Sequence, residues 1–142
     1  MQDLALLTDD QLLRLYASVL RVLKNRGVTR STNNPVADYA EKLVAEGLNL
    51  DLVTKSNAGF DALDSASGAR YEVKARRLTP ENGSTQLSAI RNLDSAPFDF
   101  LVGVIFNEDF SLAYAAMLPL RAVEELAVGS RMITSPIGVI LC

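Results

Sequence analysis

The sequence predicts a mixed α/β domain built around a central β-hairpin. Two amphipathic helical stretches lead the chain. Two alternating strands around a Ser-Gly turn follow, and then comes a strand that is apolar at odd and even positions alike.

The first helix is expected from about Asp9 to Arg26. Thr8 and Gln11 form a capping-box pattern, and Leu12, Leu13, Tyr16, Leu20 and Leu23 recur at helical spacing. Gly27 ends it. The basic residues Arg21, Lys24, Arg26 and Arg30 cluster at that end, where they either complement the helix dipole or contact phosphates. A second helix opens at Asn34-Pro35, a cap followed by proline at the first helical position, and runs to about Glu46 with Gly47 as its stop. Val36, Ala40, Leu43 and Val44 make its apolar stripe. Glu41 lies about 140° from Val36, at the stripe's edge, where it reaches a neighbouring sheet without being buried in the core.

Two strands come next, Gly59 to about Asp64 and Ala69 to about Arg76, joined by Ser65-Ala66-Ser67-Gly68. Thr79 to Asp94 is polar and holds Pro80, Asn82 and Gly83, so it is expected as a loop with a short helix around Gln86 to Arg91. Phe98 to Phe106 is the strand covered on both faces. Ser111 to Met117 forms another strand after the Asn107-Glu108-Asp109 turn, Pro119 to Ala127 a helix, and Met132 to Leu141 a last short strand. No repeat or linker interrupts the 142 residues, so one domain is expected. Residues 1–30 form an N-terminal helical extension, and residues 34–142 form the core.

Composition narrows the chemistry. The chain contains no histidine, which excludes Ser-His-Asp and Cys-His hydrolases and any His-ligated metal. Its one cysteine is the last residue, Cys142, so neither an internal disulfide nor a Cys-type zinc site is available. Carboxylates, lysine and tyrosine are left for acid–base or metal chemistry, a set suited to hard cations. The net charge of −3 counts against avid non-specific nucleic-acid binding, though it allows a local basic patch. No apolar run approaches the length of a membrane span, and the N-terminus lacks a signal-peptide pattern, so a cytoplasmic setting with no membrane partner is expected.

The hairpin carries the chemistry. With the turn centred between Ala66 and Ser67, Asp61 stands opposite Glu72 on one face, with Cβ atoms about 5 Å apart. Lys74 and Arg76 share that face by alternation, while Phe60, Ala62, Tyr71, Val73 and Ala75 form the core face. Two facing carboxylates repel. Lys74 and Arg70 offset this as a surface ion-pair network, or a divalent cation held between the acids offsets it better.

Gly59-Phe60-Asp61, then Glu72-Val73-Lys74, with Glu41 upstream in Asp38-Tyr39-Ala40-Glu41, resembles the PD-(D/E)XK nuclease superfamily. Phe60 stands where that pattern has proline. The resemblance implies a restriction-endonuclease-like α-β-β-β-α-β core with an extra N-terminal helix. It also implies a Mg²⁺- or Mn²⁺-dependent phosphodiesterase acting on DNA, in restriction, phage defence or repair. Asp61, Glu72 and the Val73 carbonyl would hold the metal, and Lys74 would position or deprotonate the attacking water. Glu41 would orient Lys74 or complete a second metal site. Gln86 would face the site, or is an ordinary loop glutamine. Arg76 and Arg77 would meet the DNA backbone, or guard an exposed strand end against edge pairing. Cutting both strands of a duplex implies a homodimer, which could serve within a larger restriction or defence complex. The alternative is a catalytically inactive DNA-binding or assembly subunit on the same fold.

Overall fold

In the computed structural model, residues 3–54, 59–87, 90, 93–127, 133–134 and 140–141 are described. Among them, α1 spans Asp9–Asn25, α2 Val36–Leu48 and α3 Leu120–Ala127. The strands are β1 (Asp51–Leu52), β2 (Ala62–Leu63), β3 (Arg70–Arg77), β4 (Gln86–Leu87), β5 (Phe100–Phe106), β6 (Leu112–Pro119), β7 (Ile133–Thr134) and β8 (Ile140–Leu141). Five strands form a mixed sheet in the order β1-β2-β3-β5-β6, parallel only between β3 and β5. A smaller sheet has the order β4-β8-β7.

The expected capping box closes α1. Thr8 Oγ1 accepts from the Gln11 amide, and Gln11 Oε1 accepts from the Thr8 amide. Gly27, at φ +73°, turns the chain out of the helix. Asn34 Oδ1 accepts from the Val36 amide at the start of α2, but Gly47 does not stop that helix. Helical structure continues to Leu48, and Asn49 adopts the left-handed conformation that closes it, a role asparagine fills almost as readily as glycine.

Both faces of β5 are covered. Val102, Val104 and Phe106 join Ala40, Val44 and Ala45 of α2 with Ala62 and Val73 in one core. Leu101 and Ile105 join Leu87, Phe98 and Val123 in the other. Each of the valine, leucine, isoleucine and phenylalanine side chains contributes about 1.5–3 kcal/mol on full burial.

Further sequence expectations need correction. The single strand expected from Met132 to Leu141 is two, β7 pairing antiparallel with β8. β1 falls where no strand was expected. Gln86 and Leu87 form a strand, in parallel register with Ile140 and Leu141, in place of the start of a helix, and Arg91 lies outside the described residues. Phe60 packs with the Leu87–Phe98 core and not with Ala62, Tyr71, Val73 and Ala75. The reason for the last is a local break in strand alternation. Ala62 pairs with Tyr71, yet the preceding Asp61 amide also donates to the Tyr71 carbonyl, at 2.8 Å. Two residues of one strand therefore address one of the other, which is a β-bulge and resets which face the upstream residues take.

Candidate functional site

The site lies at that bulge. The β2–β3 register is the one expected from the turn, Ala62 opposite Tyr71 and Leu63 opposite Arg70. Asp64 sets the turn by accepting from the Ala66 amide and the Ser67 hydroxyl, which together hold its carboxyl below the usual range. At Asp61 the regular ladder ends and the side chain takes over. Asp61 Oδ2 accepts from the Val73 amide at 2.8 Å, where a strand carbonyl would otherwise stand. A strand residue's N–H and C=O point to the same edge, so the Val73 carbonyl also faces the Asp61 side.

Gly59 makes this geometry possible. Its φ is +97°, and a Cβ there would stand 2.8 Å from Pro97 Cβ. The chain entering Asp61 thus passes against Pro97 in a conformation that side chains rarely adopt.

Glu72 and Lys74 share one face of β3, with Lys74 Nζ 3.3 Å from Glu72 Oε1. Their side chains are only 17% and 18% exposed, so the ion pair sits in a recess and not on an open surface. Burial first, and then the neighbouring Asp61 carboxylate, push the Glu72 carboxyl up to about 7, against the pull of the Lys74 ammonium. A hydrogen bond between the two acids acts in the same upward direction. The Asp61 and Glu72 carboxyls are therefore close neighbours. On the adjoining strand, Gly103 lies in register with Lys74, and Leu87 of β4 lies over it, 3.2 Å from where a Cβ would be. The absence of a side chain at Gly103 leaves room for Leu87 to close that flank of the recess.

Other expected site residues are placed differently. Glu41 is buried, not at the accessible edge of its helix. Arg30 folds back over α2 and accounts for this. Its Nη2 lies 3.7 Å from Glu41 Oε2, its Nη1 donates to the Val53 carbonyl, and its backbone amide donates to Asp38 Oδ2. The Val53 amide in turn donates to the Asp61 carbonyl, so a chain of contacts joins Glu41 to the site through Arg30. Among the described residues, no three carboxylates gather in a metal-sized cluster.

Arg70 is also engaged elsewhere. It makes an ion pair with Asp99, and that guanidinium holds the Asp99 carboxyl below its usual range, so Arg70 does not offset Asp61 and Glu72. Arg77 points away from the recess. Alternation puts it with Val73 and Ala75, where its Nε donates to the Glu108 carbonyl and its guanidinium covers the Phe110 ring at 4.8 Å. Arg76 keeps the face of Glu72 and Lys74 by the same alternation. Gln86 lies in β4, which runs against β3.

Sequence reasoning missed Arg30 as the partner of Glu41 and Gly59 as the residue that lets the chain pass Pro97. A glycine two residues before the motif acid is a visible signal for the second. Nothing in the spacing marks the first. No helix among the described residues is long and apolar enough to cross a membrane. No family model matches the chain, and no curated protein matches it either.

Proposed function

We propose that the protein is a Mg²⁺- or Mn²⁺-dependent phosphodiesterase acting on DNA, with its centre at Asp61, Glu72 and Lys74. The observation that carries this reading is the meeting of two carboxyls, one raised to about 7, beside a lysine ammonium in a half-buried recess. Groups whose environments pull their protonation apart cluster at functional sites. The order α2-β1-β2-β3, with β5 parallel to β3, supports the restriction-endonuclease-like core. A departure is that β4, and not a helix, opens the connection from β3 to β5.

The donor set fits a hard cation. Asp61 and Glu72 supply two carboxylates, and the Val73 carbonyl faces the same side. When bound, such an ion polarises the scissile phosphate and lowers the pKa of a bound water. The chain's own residues do the rest. Asp61, fixed by the Val73 amide, presents its other oxygen in a set orientation. Glu72 must lose its proton to become a ligand, which makes occupancy pH-dependent. Lys74 holds positive charge beside the carboxylates, where a non-bridging phosphate oxygen would come, and orients the attacking water. Arg76 extends that positive strip along β3.

A second reading, a DNA-binding or assembly subunit that does not cleave, is favoured by one observation: among the described residues no three carboxylates gather in a metal-sized cluster, and Arg30 lies against Glu41. Nicking of supercoiled plasmid in Mn²⁺ decides between them. Activity that disappears in Lys74→Ala and Asp61→Asn supports the enzyme. Retained DNA binding with no cleavage in any divalent metal supports the subunit.

A further inference from the structure

Among the three described helices, α1 buries the smallest share of its residues. Of its 17 residues only Leu20 is buried. Leu12, Leu13, Leu15, Tyr16, Val19 and Val22 are all exposed, Leu13 by 67% and Tyr16 by 54%, and Leu4 and Leu6 just upstream are exposed as well. Soluble monomers rarely leave so much contiguous apolar surface in water. Leu12, Tyr16 and Val19 of this patch and the half-buried Leu23 follow one another at steps of four, three and four, the repeat of a two-helix seam. The seam continues into a cavity of about 680 Å³ between α1 and the body, lined by Tyr16, Val19, Leu20, Leu23, Tyr39 and Phe110 among others.

The charges along α1 identify what covers this face. Asp9 and Asp10 stand in the first turn, while Arg21, Lys24 and the capping Arg26 stand at the other end. A helix with that polarity complements an antiparallel copy of itself. When Leu12 meets Leu23 and Tyr16 meets Val19 of the second copy, Asp9 comes level with Arg26 of the second copy at both ends. A two-fold axis at the middle of α1 produces this match, as self-complementary dimers require. The patch is also large. Its eight exposed large apolar residues, at on the order of 100 Å² each, are comparable in sum with the roughly 800 Å² per partner that stable interfaces bury. The seam takes the part that excludes either Leu13 or Val22, which lie on opposite sides of the helix.

We infer that two copies of this chain associate through antiparallel α1 helices, with the apolar side chains of one copy's α1 entering the cavity beside the other's. This does not rest on the nuclease reading, and no variant in its test touches Asp61, Glu72 or Lys74. The test is sedimentation of the full chain, with paired cysteines introduced in a Cys142→Ser background. Wild type is expected to sediment as a dimer. Val19→Glu, at an exposed position, is expected to keep the circular dichroism of the fold and raise the dissociation constant by about thirtyfold or more. Mixing Leu12→Cys with Leu23→Cys is expected to give a disulfide-linked dimer that neither variant gives alone. A wild type that stays monomeric at the highest attainable concentration overturns the inference. So does a dimer that survives Val19→Glu, or cross-linking of Leu12→Cys to itself.

Discussion

Replacing Glu72 by glutamine separates the charge at the site from its shape. In the folded protein the Glu72 carboxyl titrates near 7, whereas in the unfolded chain it titrates at its ordinary 4.5. Between those values the folded state holds a proton that the unfolded state has released. Stability therefore declines as pH rises, being fully present below the unfolded value and lost through the folded one. Full linkage over that interval is about 3.4 kcal/mol. Solvent reaches part of the carboxyl and screens it, which brings the expected loss to about 2 kcal/mol. For a chain of this size that is a fall of about 6–8 °C in Tm from about pH 5 to pH 8. With no histidine in the chain, ordinary side chains contribute little across that window. The assay is thermal melting in EDTA over this range, repeated with Mn²⁺. Glu72→Gln is expected to flatten the decline and to melt higher than wild type at the alkaline end. Mn²⁺ is expected to restore wild type there and to leave Glu72→Gln unchanged. A wild-type midpoint in EDTA that is level or rising with pH would refute the reasoning, as would an equal decline in the glutamine variant.

Asp61→Ala leaves the Val73 amide without its acceptor and is expected to cost about 1–3 kcal/mol in denaturant melts, whereas Asp61→Asn retains an amide oxygen and is expected to cost less than half of that. Gly59→Ala is expected to destabilise by about 2–4 kcal/mol, because a side chain at φ +97° meets Pro97 Cβ; a loss under about 0.5 kcal/mol would show that the segment shifts freely. Arg30→Met removes the ion pair with Glu41 and the bond to the Val53 carbonyl, and is expected to cost about 2–3 kcal/mol in chemical denaturation.

The elements legible in the sequence are those whose signals are local. Thr8, Gln11 and the leucine stripe specify α1 because the cap and its helix are contiguous. The Ala62–Tyr71 register follows from a short turn, and the apolar run of β5 from its cover on both faces. The rest depends on distant partners. β1 is two exposed residues with no alternation, a strand only because Asp51 and Leu52 lie beside Leu63 and Ala62. Gln86 reads as the start of a short helix within a loop because its ladder partner, Ile140, lies near the far end of the chain. The alternation that puts Glu72 and Lys74 on one face is local, but Asp61 does not face Glu72 in the expected regular pairing. It bonds the Tyr71 carbonyl and the Val73 amide at a bulge that the sequence did not signal. The burial of Glu41 was not legible, since it depends on how the segment carrying Arg30 folds back across the helix.

The carboxylate at position 61 serves the backbone as well as any chemistry. Because Asp61 completes the strand pairing at Val73, an acid or its amide is favoured there whether or not a chain of this fold hydrolyses anything. Its presence in a related chain thus says little about whether that chain cuts. Lys74 carries no such backbone duty among the hydrogen bonds described, so its presence or loss in a homologue is the more telling sign for the proposed chemistry.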